Sequence, residues 1–459
     1  MRTIFTLAIL LIVCTLAESQ ITFEKTFNKG SNATGYSVIQ TSDNGYAIAA
    51  GTGSGDNEKI FLIRTNETGD TLWTRTFGGI VSYFGDHAII QTADEGFIMC
   101  GNMGDSMYLL KTNATGDSLW GRNVITGGAS SIEQTLDGGY ILCGEWYGSI
   151  LIVKTDSNGI LQWTKSYSVP PGIVCSYRAY SIKQTQDLGF IITGAEESGY
   201  GFGSLLLFKT DHHGDSLWLK TFRDIIDSYG SSVSITADNE YFVCGSYQES
   251  GYGAFVVKFN ELGDTLWLRK INDPGSQFLY SCQVLPGGGY IACGTTEGPG
   301  NTDMIMLMKF SKNGDVIWSR TFNWYDKSWG NCVRQTADQG FIITGNTEQT
   351  TSGITDVYFI KTDSTGSITG IDEKDIHREV KVFPNPTTDK STFHFSGALP
   401  NDETQIIIYD LFGKQVMKEI LPKSQAEITL DIRTLAPGFY CYEITQNLNR
   451  KTGKLVVVR

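Results

Sequence analysis

Residues 35–51 read GYSVIQTSDNGYAIAAG, and residues 60–77 read IFLIRTNETGDTLWTRTF. A second copy follows, DHAIIQTADEGFIMCG over 86–101 and MYLLKTNATGDSLW over 107–120. Each copy resolves into four short strands. In the first, Tyr36 and Val38 fall two apart, the spacing of one strand face. A Thr-x-Asp-x-Gly turn follows, in which Asp43 and Gly45 supply turn chemistry and a positive φ. The second strand, Tyr46 to Ala50, ends at Gly51. The third, Ile60 to Ile63, is continuously apolar and suits a strand buried on both faces. The turn at 66–69 puts Gly69 at the left-handed place of a hairpin, and the fourth strand carries Leu72, Trp73 and Arg75.

This unit recurs along most of the chain. Its glycine returns at Gly51, Gly101, Gly144, Gly194, Gly245, Gly294 and Gly345. Its basic residue returns at Arg64, Lys111, Lys154, Lys209, Lys258, Lys309 and Lys361. A period of roughly 43–51 residues is that of propeller blades. The tryptophan returns at Trp73, Trp120, Trp163, Trp218, Trp267 and Trp318, but the last unit lacks one. The missing strand stands at the other end: residues 21–27, ITFEKTF, match LWTRTF of 72–77, with Phe23 in the tryptophan's place and Lys25 in the place of Arg75. A chain that borrows its first strand for its last repeat closes a ring and leaves no sheet edge exposed. The fold class is therefore all-β: a seven-bladed β-propeller of four-stranded blades, closed by the N-terminal strand, followed by a small Ig-like β-sandwich.

Composition agrees. Of 459 residues 52 are glycine, against a usual ~7%. The net charge of -13 argues against nucleic acid as the partner, which would need a basic face. Residues 1–19 read as a secretory signal, with Arg2, an apolar run from Ile4 to Val13 and a small-x-small cleavage site at 17–19. That run is shorter than the ~20 residues of a membrane span, so no transmembrane segment is expected. The expected organisation is a signal peptide at 1–19, a propeller at 20–370, a linker at 371–380 and a C-terminal domain at 381–459. Cys100, Cys143, Cys244 and Cys293 share one repeat position before a glycine and read as free, buried thiols.

The turn-plus-tryptophan element, as in Thr155 to Trp163, resembles the tryptophan-docking motif of quinoprotein-type propellers. It is a packing motif and implies no enzymology. The C-terminal stretch carries Pro384-Asn385-Pro386, then Tyr409-Asp410 with Gly413-Lys414, then Gly438 and Tyr440. In order and spacing these resemble the type IX secretion C-terminal sorting domain of Bacteroidota. The resemblance implies export across both membranes, with the type IX machinery and its sortase as partners, and a secreted or outer-membrane surface-attached protein. Triplets such as Asp70-Thr71-Leu72 and Asp117-Ser118-Leu119 resemble the O-glycosylation acceptor of the same phylum, although they coincide with the repeat hairpin.

No metal-ligating or nucleophile motif appears, so no catalytic residue, metal or cofactor is expected. The variation between blades says more. The first-to-second and third-to-fourth turns are short and uniform. The other two loops vary and share the opposite face. There lie Trp146, Tyr147, Tyr200, Tyr252, Trp324, Tyr325 and Trp329, with Glu197 and Glu249 in near-identical Glu-Ser-Gly-Tyr-Gly stretches. Variable loops on a rigid scaffold are where binding sits, and aromatic rings among carboxylates suit sugar faces or cationic groups. The expected function is non-enzymatic binding of a polymeric glycan or a surface protein on this face. The alternative is a secreted lyase or hydrolase that uses loop carboxylates.

Overall fold

The computed structural model describes residues 20–28, 30–53, 58–81, 88–170, 174–198, 203–223, 227–249, 251–272, 275–298, 300, 302–368, 380–395, 404–410, 414–421, 425, 427–446 and 449–458. The chain divides into two compact units, residues 1–369 and 370–459. Among the described residues of the first unit stand seven antiparallel sheets, six of them built from strands consecutive in the chain. Blade 1 comprises Ala33–Gln40, Tyr46–Thr52, Lys59–Thr65 and Thr71–Phe77. In blade 2 the short strands Ile80–Val81 and Ile89–Gln91 both pair with Phe97–Met103. Blades 3 to 6 start at Gly128, Cys175, Ser228 and Gln277. Blade 7 takes three strands from Lys327–Gln335, Phe341–Gln349 and Ile354–Thr362 and its fourth, Phe23–Phe27, from the other end of the unit. Phe23 stands opposite Lys361 and Phe27 opposite Val357, so the ring closes as the repeat arithmetic requires.

The second and third strands are the buried ones. Phe61, Leu109, Ile152, Leu207, Val256, Leu307 and Phe359 are each inaccessible or nearly so, because a neighbouring blade covers both faces. The fourth-strand aromatic wedges onto the next blade. A side chain on Gly116 would meet the Trp73 ring at 2.5 Å, and one on Gly159 would meet Trp120 at 2.6 Å. Both glycines also hold positive φ, +80° and +72°, so they satisfy a turn and a close approach together. Phe23 makes the same contact with Gly69, at 2.7 Å from where a Cβ would stand. The six tryptophans and this phenylalanine are thus one repeated joint.

Two local features depart from the sequence reading. Gly45 does not hold the positive φ of the first turn; its predecessor Asn44 does, at 66°, as do Glu95, Leu188, Asn239 and Gln339 in other blades. The glycine is there for space, since a Cβ would collide with the Thr65 carbonyl and the Arg64 guanidinium. The second strand does not end at its glycine either, but runs past Gly51 to Thr52, and past Gly194 to Ser198. That glycine instead faces a bulge in the first strand, between Ala129 and Ser131 opposite Gly144 and between Ala179 and Ser181 opposite Gly194. The two backbones come too close there for a Cβ.

The repeated basic residue is fixed by a turn carboxylate. Lys111 Nζ donates to both oxygens of Asp94 at 2.9 and 2.8 Å and to the Thr112 carbonyl at 2.8 Å. Lys154 pairs with Asp137 at 2.9 Å, Lys209 with Asp187 at 2.8 Å, and Arg64 with Asp43. In blade 5 Glu240 replaces the glycine and takes Lys258. The carboxylate of the other hairpin reaches the preceding blade, as in Asp215 with Lys165 at 2.6 Å and Asp264 with Lys220 at 2.8 Å. Asp70 pairs likewise with Lys25. Turn geometry and this cross-blade pair therefore account for the Asp of the hairpin triplets.

These pairs set an acid limit. The Lys111 ammonium, with the Thr92 hydroxyl, holds Asp94 down to about 2. Burial opposes the same shift at Asp137, but Thr135 and Lys154 outweigh it and bring that group to about 2 as well. A carboxylate whose pKa is lower folded than unfolded stabilises the fold above its ordinary 3.8 and loses that contribution as pH falls toward 2. Urea midpoints should therefore stay level through this pair of groups between about pH 7 and 5 and drop between about pH 4 and 2. Asp94→Asn should lower the midpoint at neutral pH and flatten the acid limb. An unchanged acid limb would refute the assignment.

All eight described cysteines are free, and Cys100, Cys143, Cys244 and Cys293 are buried, as their shared repeat position requires. The second unit forms two sheets. One orders Val380–Phe383, Lys390–Phe395 and Glu427–Asp431; the other orders Gln415–Leu421, Thr404–Tyr409, Gly438–Gln446 and Asn449–Val457. Phe393, Ile406, Ile408, Tyr442, Ile444 and Leu455 fill its core. The motif residues hold this unit together. Asn385 donates to the Lys454 carbonyl at 2.7 Å and accepts from the Val456 N–H at 2.9 Å, which clamps the Pro-Asn-Pro turn to the last strand. Asp410 accepts from the Lys414 N–H at 2.9 Å, and Tyr440 donates to the Ala436 carbonyl at 2.8 Å. Gly413 lies outside the described residues.

Candidate functional site

The first-strand bulges turn one residue out of register in each of six blades. The residue left out of register is Tyr36, Ser130, Tyr180, Ser231, Tyr280 and Asn331 in blades 1 and 3 to 7. A bulge re-aims a side chain without ending the strand. In blades 1, 4 and 6 the bulged residue is a tyrosine. Tyr180 lies edge-on to Tyr229 at 6.1 Å between ring centres. Burial, then the Glu197 carboxylate, pushes the Tyr180 phenol well above its ordinary range. Burial likewise raises Tyr229 and Tyr280. Such phenols stay protonated and can donate a hydrogen bond at any physiological pH.

Beside Tyr180, Arg178 lies between two carboxylates from adjacent blades, 3.2 Å from Glu145 and 2.9 Å from Glu197. Residues Ala129, Ser130, Glu145, Arg178 and Tyr180 border a small cavity of about 160 Å³ between blades 3 and 4. The next gap, between blades 4 and 5, holds a larger cavity of about 350 Å³. Its walls are the ends of the second strands, with Glu197, Tyr247 and Gln248, the start of a first strand, with Asp227 and Tyr229, and the start of a third, with Tyr252. Those strand ends belong to the variable loops. The volume sits at the lower end of the ~300–1,000 Å³ of ligand sites.

The sequence candidates fall into different places. Glu197 and Tyr252 line this one cavity. Tyr147 is 87% exposed and lies 4.3 Å from the Trp146 ring, while Trp146 itself packs against the core of blades 2 and 3. Trp324 also serves the core, against Tyr358 at 5.9 Å, so it is no freely removable platform. Tyr325 and Trp329 are half-buried in blade 7. Tyr200 lies outside the described residues. The two Glu-Ser-Gly-Tyr-Gly stretches are not equivalent. Glu197 faces Gly203 across its hairpin, whereas in blade 5 the place three after the glycine belongs to Gln248, opposite Tyr252. Glu249 is one residue further on and pairs with Lys270 at 3.1 Å. One step along a strand turns a side chain to the other face.

Sequence reasoning passed over Tyr180, Tyr280, Arg178 and Asp227 as site residues. A signal existed for the tyrosines. They stand just before Ser181 and Ser281, at a position that varies between Tyr, His, Ser and Asn from blade to blade. The opposite, uniform-turn side also has a hollow, of about 690 Å³, lined by Ile39, Ile89, Ile132, Gln40 and Gln91. Its amides are already engaged in holding the ring. Gln91 accepts the Ser42 N–H at 2.9 Å, and Gln40 accepts the Ala337 N–H at 2.8 Å, each from the adjoining blade.

Comparison with known proteins gives the following. Residues 381–458 match the secretion system C-terminal sorting domain, which is a type IX sorting domain. No curated protein matches the chain in sequence. Similar solved structures include one of U3-55K, at 9% identity and a TM-score of 0.49 over 73% of this chain and 98% of that one. Another is the Dos1 propeller, at 12% identity and a TM-score of 0.44 over 73% and 93%. A third is a luciferin-regenerating enzyme, at 10% identity and a TM-score of 0.38 over 61% and 92%. The propeller assignment rests on the strand pairing itself. The sorting domain indicates export to the cell surface or the medium and recognition by the type IX machinery.

Proposed function

We propose that this exported propeller is a non-enzymatic binding module that holds a polymeric carbohydrate across its variable-loop side. The observation that carries the reading is the 350 Å³ cavity at that side, where Tyr229 and Tyr252 converge with the Glu197 carboxylate. Rings offer faces to the apolar side of a sugar, and carboxylates accept from its hydroxyls. Glu197 is held by Arg178 and Glu249 by Lys270, which suits fixed acceptors for hydroxyl groups. The exposed Tyr147 extends the surface to blade 3, so an extended ligand gains more than one contact. Residues 1–19 as the signal peptide, a sortase acting on the C-terminal domain and a Bacteroidota host complete the proposal.

A glycan array of the purified protein tests it. Once a polymer is found, Tyr147→Ala and Tyr252→Ala should each weaken binding by about 1–3 kcal/mol, a factor of about 5 to 150, with little change in melting temperature. Tyr147 and Tyr252 are 87% and 46% exposed, so little core is lost with either. The controls are Asn158→Ala and His213→Ala, on the uniform-turn side. Loss of binding in the controls and not in the tyrosine variants would place the site on the wrong face. Turnover of the bound polymer would overturn the non-enzymatic reading.

A further inference from the structure

We propose that the cavity between blades 4 and 5 is a subsite for a sugar carrying a free ammonium group, so that the ligand is a polymer of amino sugars that are not acetylated. The inference rests on the carbohydrate reading above and names its substrate class. The charge of the cavity is the reason. Arg178 is shared by two carboxylates, Glu145 and Glu197, and so leaves one negative charge uncompensated. Asp227 accepts the Gly203 N–H at 2.8 Å and pairs with no cation among the described residues. The neighbouring cations are engaged elsewhere, Arg223 with Glu196 at 3.5 Å and Lys270 with Glu249 at 3.1 Å. The adjoining stretches 199–202, 224–226 and 250 contribute no Lys, Arg or His.

Tyrosine rings stand around this charge. The ring of Tyr247 already carries one cation, with Lys270 Nζ 4.8 Å from its centre. Tyr229 and Tyr252 line the cavity with no such partner on their rings among the described residues. Aromatic faces beside uncompensated carboxylates attract an ammonium group and repel a uronate. The exposed Gln248 amide and the phenol hydroxyls then serve the ring hydroxyls of the same sugar. A neutral acetamido sugar would leave the charge unanswered.

The test is calorimetric titration of the full mature chain with two probes, a glucosamine oligomer and the matching N-acetylglucosamine oligomer, at mildly acid and at alkaline pH. The amine form should bind at least about tenfold more tightly in acid, and that advantage should vanish once its ammonium groups lose their protons. Asp227→Asn keeps an acceptor for Gly203 and removes the charge. It should cut affinity for the amine oligomer about tenfold while leaving the acetylated oligomer within about twofold. Tyr252→Leu keeps bulk and removes the ring, and should cut affinity for the amine oligomer by a similar factor. Equal affinity for the two oligomers, or indifference to Asp227→Asn, overturns the subsite and leaves the carbohydrate reading standing. Binding of an oligolysine peptide with no binding of either oligomer overturns both.

Discussion

Phe23→Ala is expected to destabilise the propeller by about 3–5 kcal/mol, as for a buried aromatic, although Phe23 stands next to the start of the described chain. Its ring is 4% exposed. It lies 5.0 Å from Phe359 and 6.0 Å from Tyr46, that is, between blade 7 and blade 1. Loss of the whole segment 21–27, which holds the strand Phe23–Phe27, should cost more. It would strip the ladder from Ile354–Thr362 and remove the ion pair of Lys25 with Asp70 and the hydrogen bond of Tyr358 to Glu24. The third strand of blade 7 would then present an unpaired edge, a template for aggregation. Thermal melts of the two variants and of the intact chain decide the matter. Melting temperatures equal to that of the intact chain would mean that the first strand closes nothing.

Asp338→Ala should cost a similar amount for an electrostatic reason. Lys361 is 1% exposed and donates to both Asp338 oxygens, at 3.1 and 2.9 Å, and to the Thr362 carbonyl at 2.9 Å. Burial pushes its ammonium below the ordinary lysine range even with that partner present. Removing Asp338 strands the charge, which costs about 3–5 kcal/mol for a buried pair broken on one side. Two further results identify the cause. The deficit should shrink as pH rises toward alkaline values, where the stranded lysine folds as a neutral amine. The double variant Asp338→Ala with Lys361→Met should recover most of the loss. A deficit that ignores pH and the second substitution would point to the turn itself, since Asp338 also accepts from Thr336 and from the Gly340 N–H. Blade 6 shows the native alternative. Its turn, Leu285 to Gly289, carries no acid, and Lys309 is half-buried with its Nζ 5.8 Å from the Phe341 ring centre.

Ring closure was legible because the mark it leaves is local: Phe23 and Lys25 carry the same two-residue spacing as Trp73 and Arg75. The recurrence of the turn aspartate and of the basic residue was legible for the same reason, since strand period and turn chemistry act within a few residues. The left-handed residue of the first turn was not. Gly45 looks like the permissive residue, yet its neighbour Asn44 takes the positive φ, because the glycine is reserved for the approach of Thr65 and Arg64 from another strand. Resemblance between Glu197 and Glu249 misled for a related reason. A matching pentapeptide says nothing about register, and an offset of one residue against Gly194 and Gly245 gives the two acids different partners. The sequence by itself determined the repeat, its closure and the sorting domain. Only the tertiary structure decided the candidate site, because Glu145 meets Arg178 and Glu197 shares a cavity with Tyr252 across blade boundaries, between residues whose separation along the chain leaves no local pattern to read.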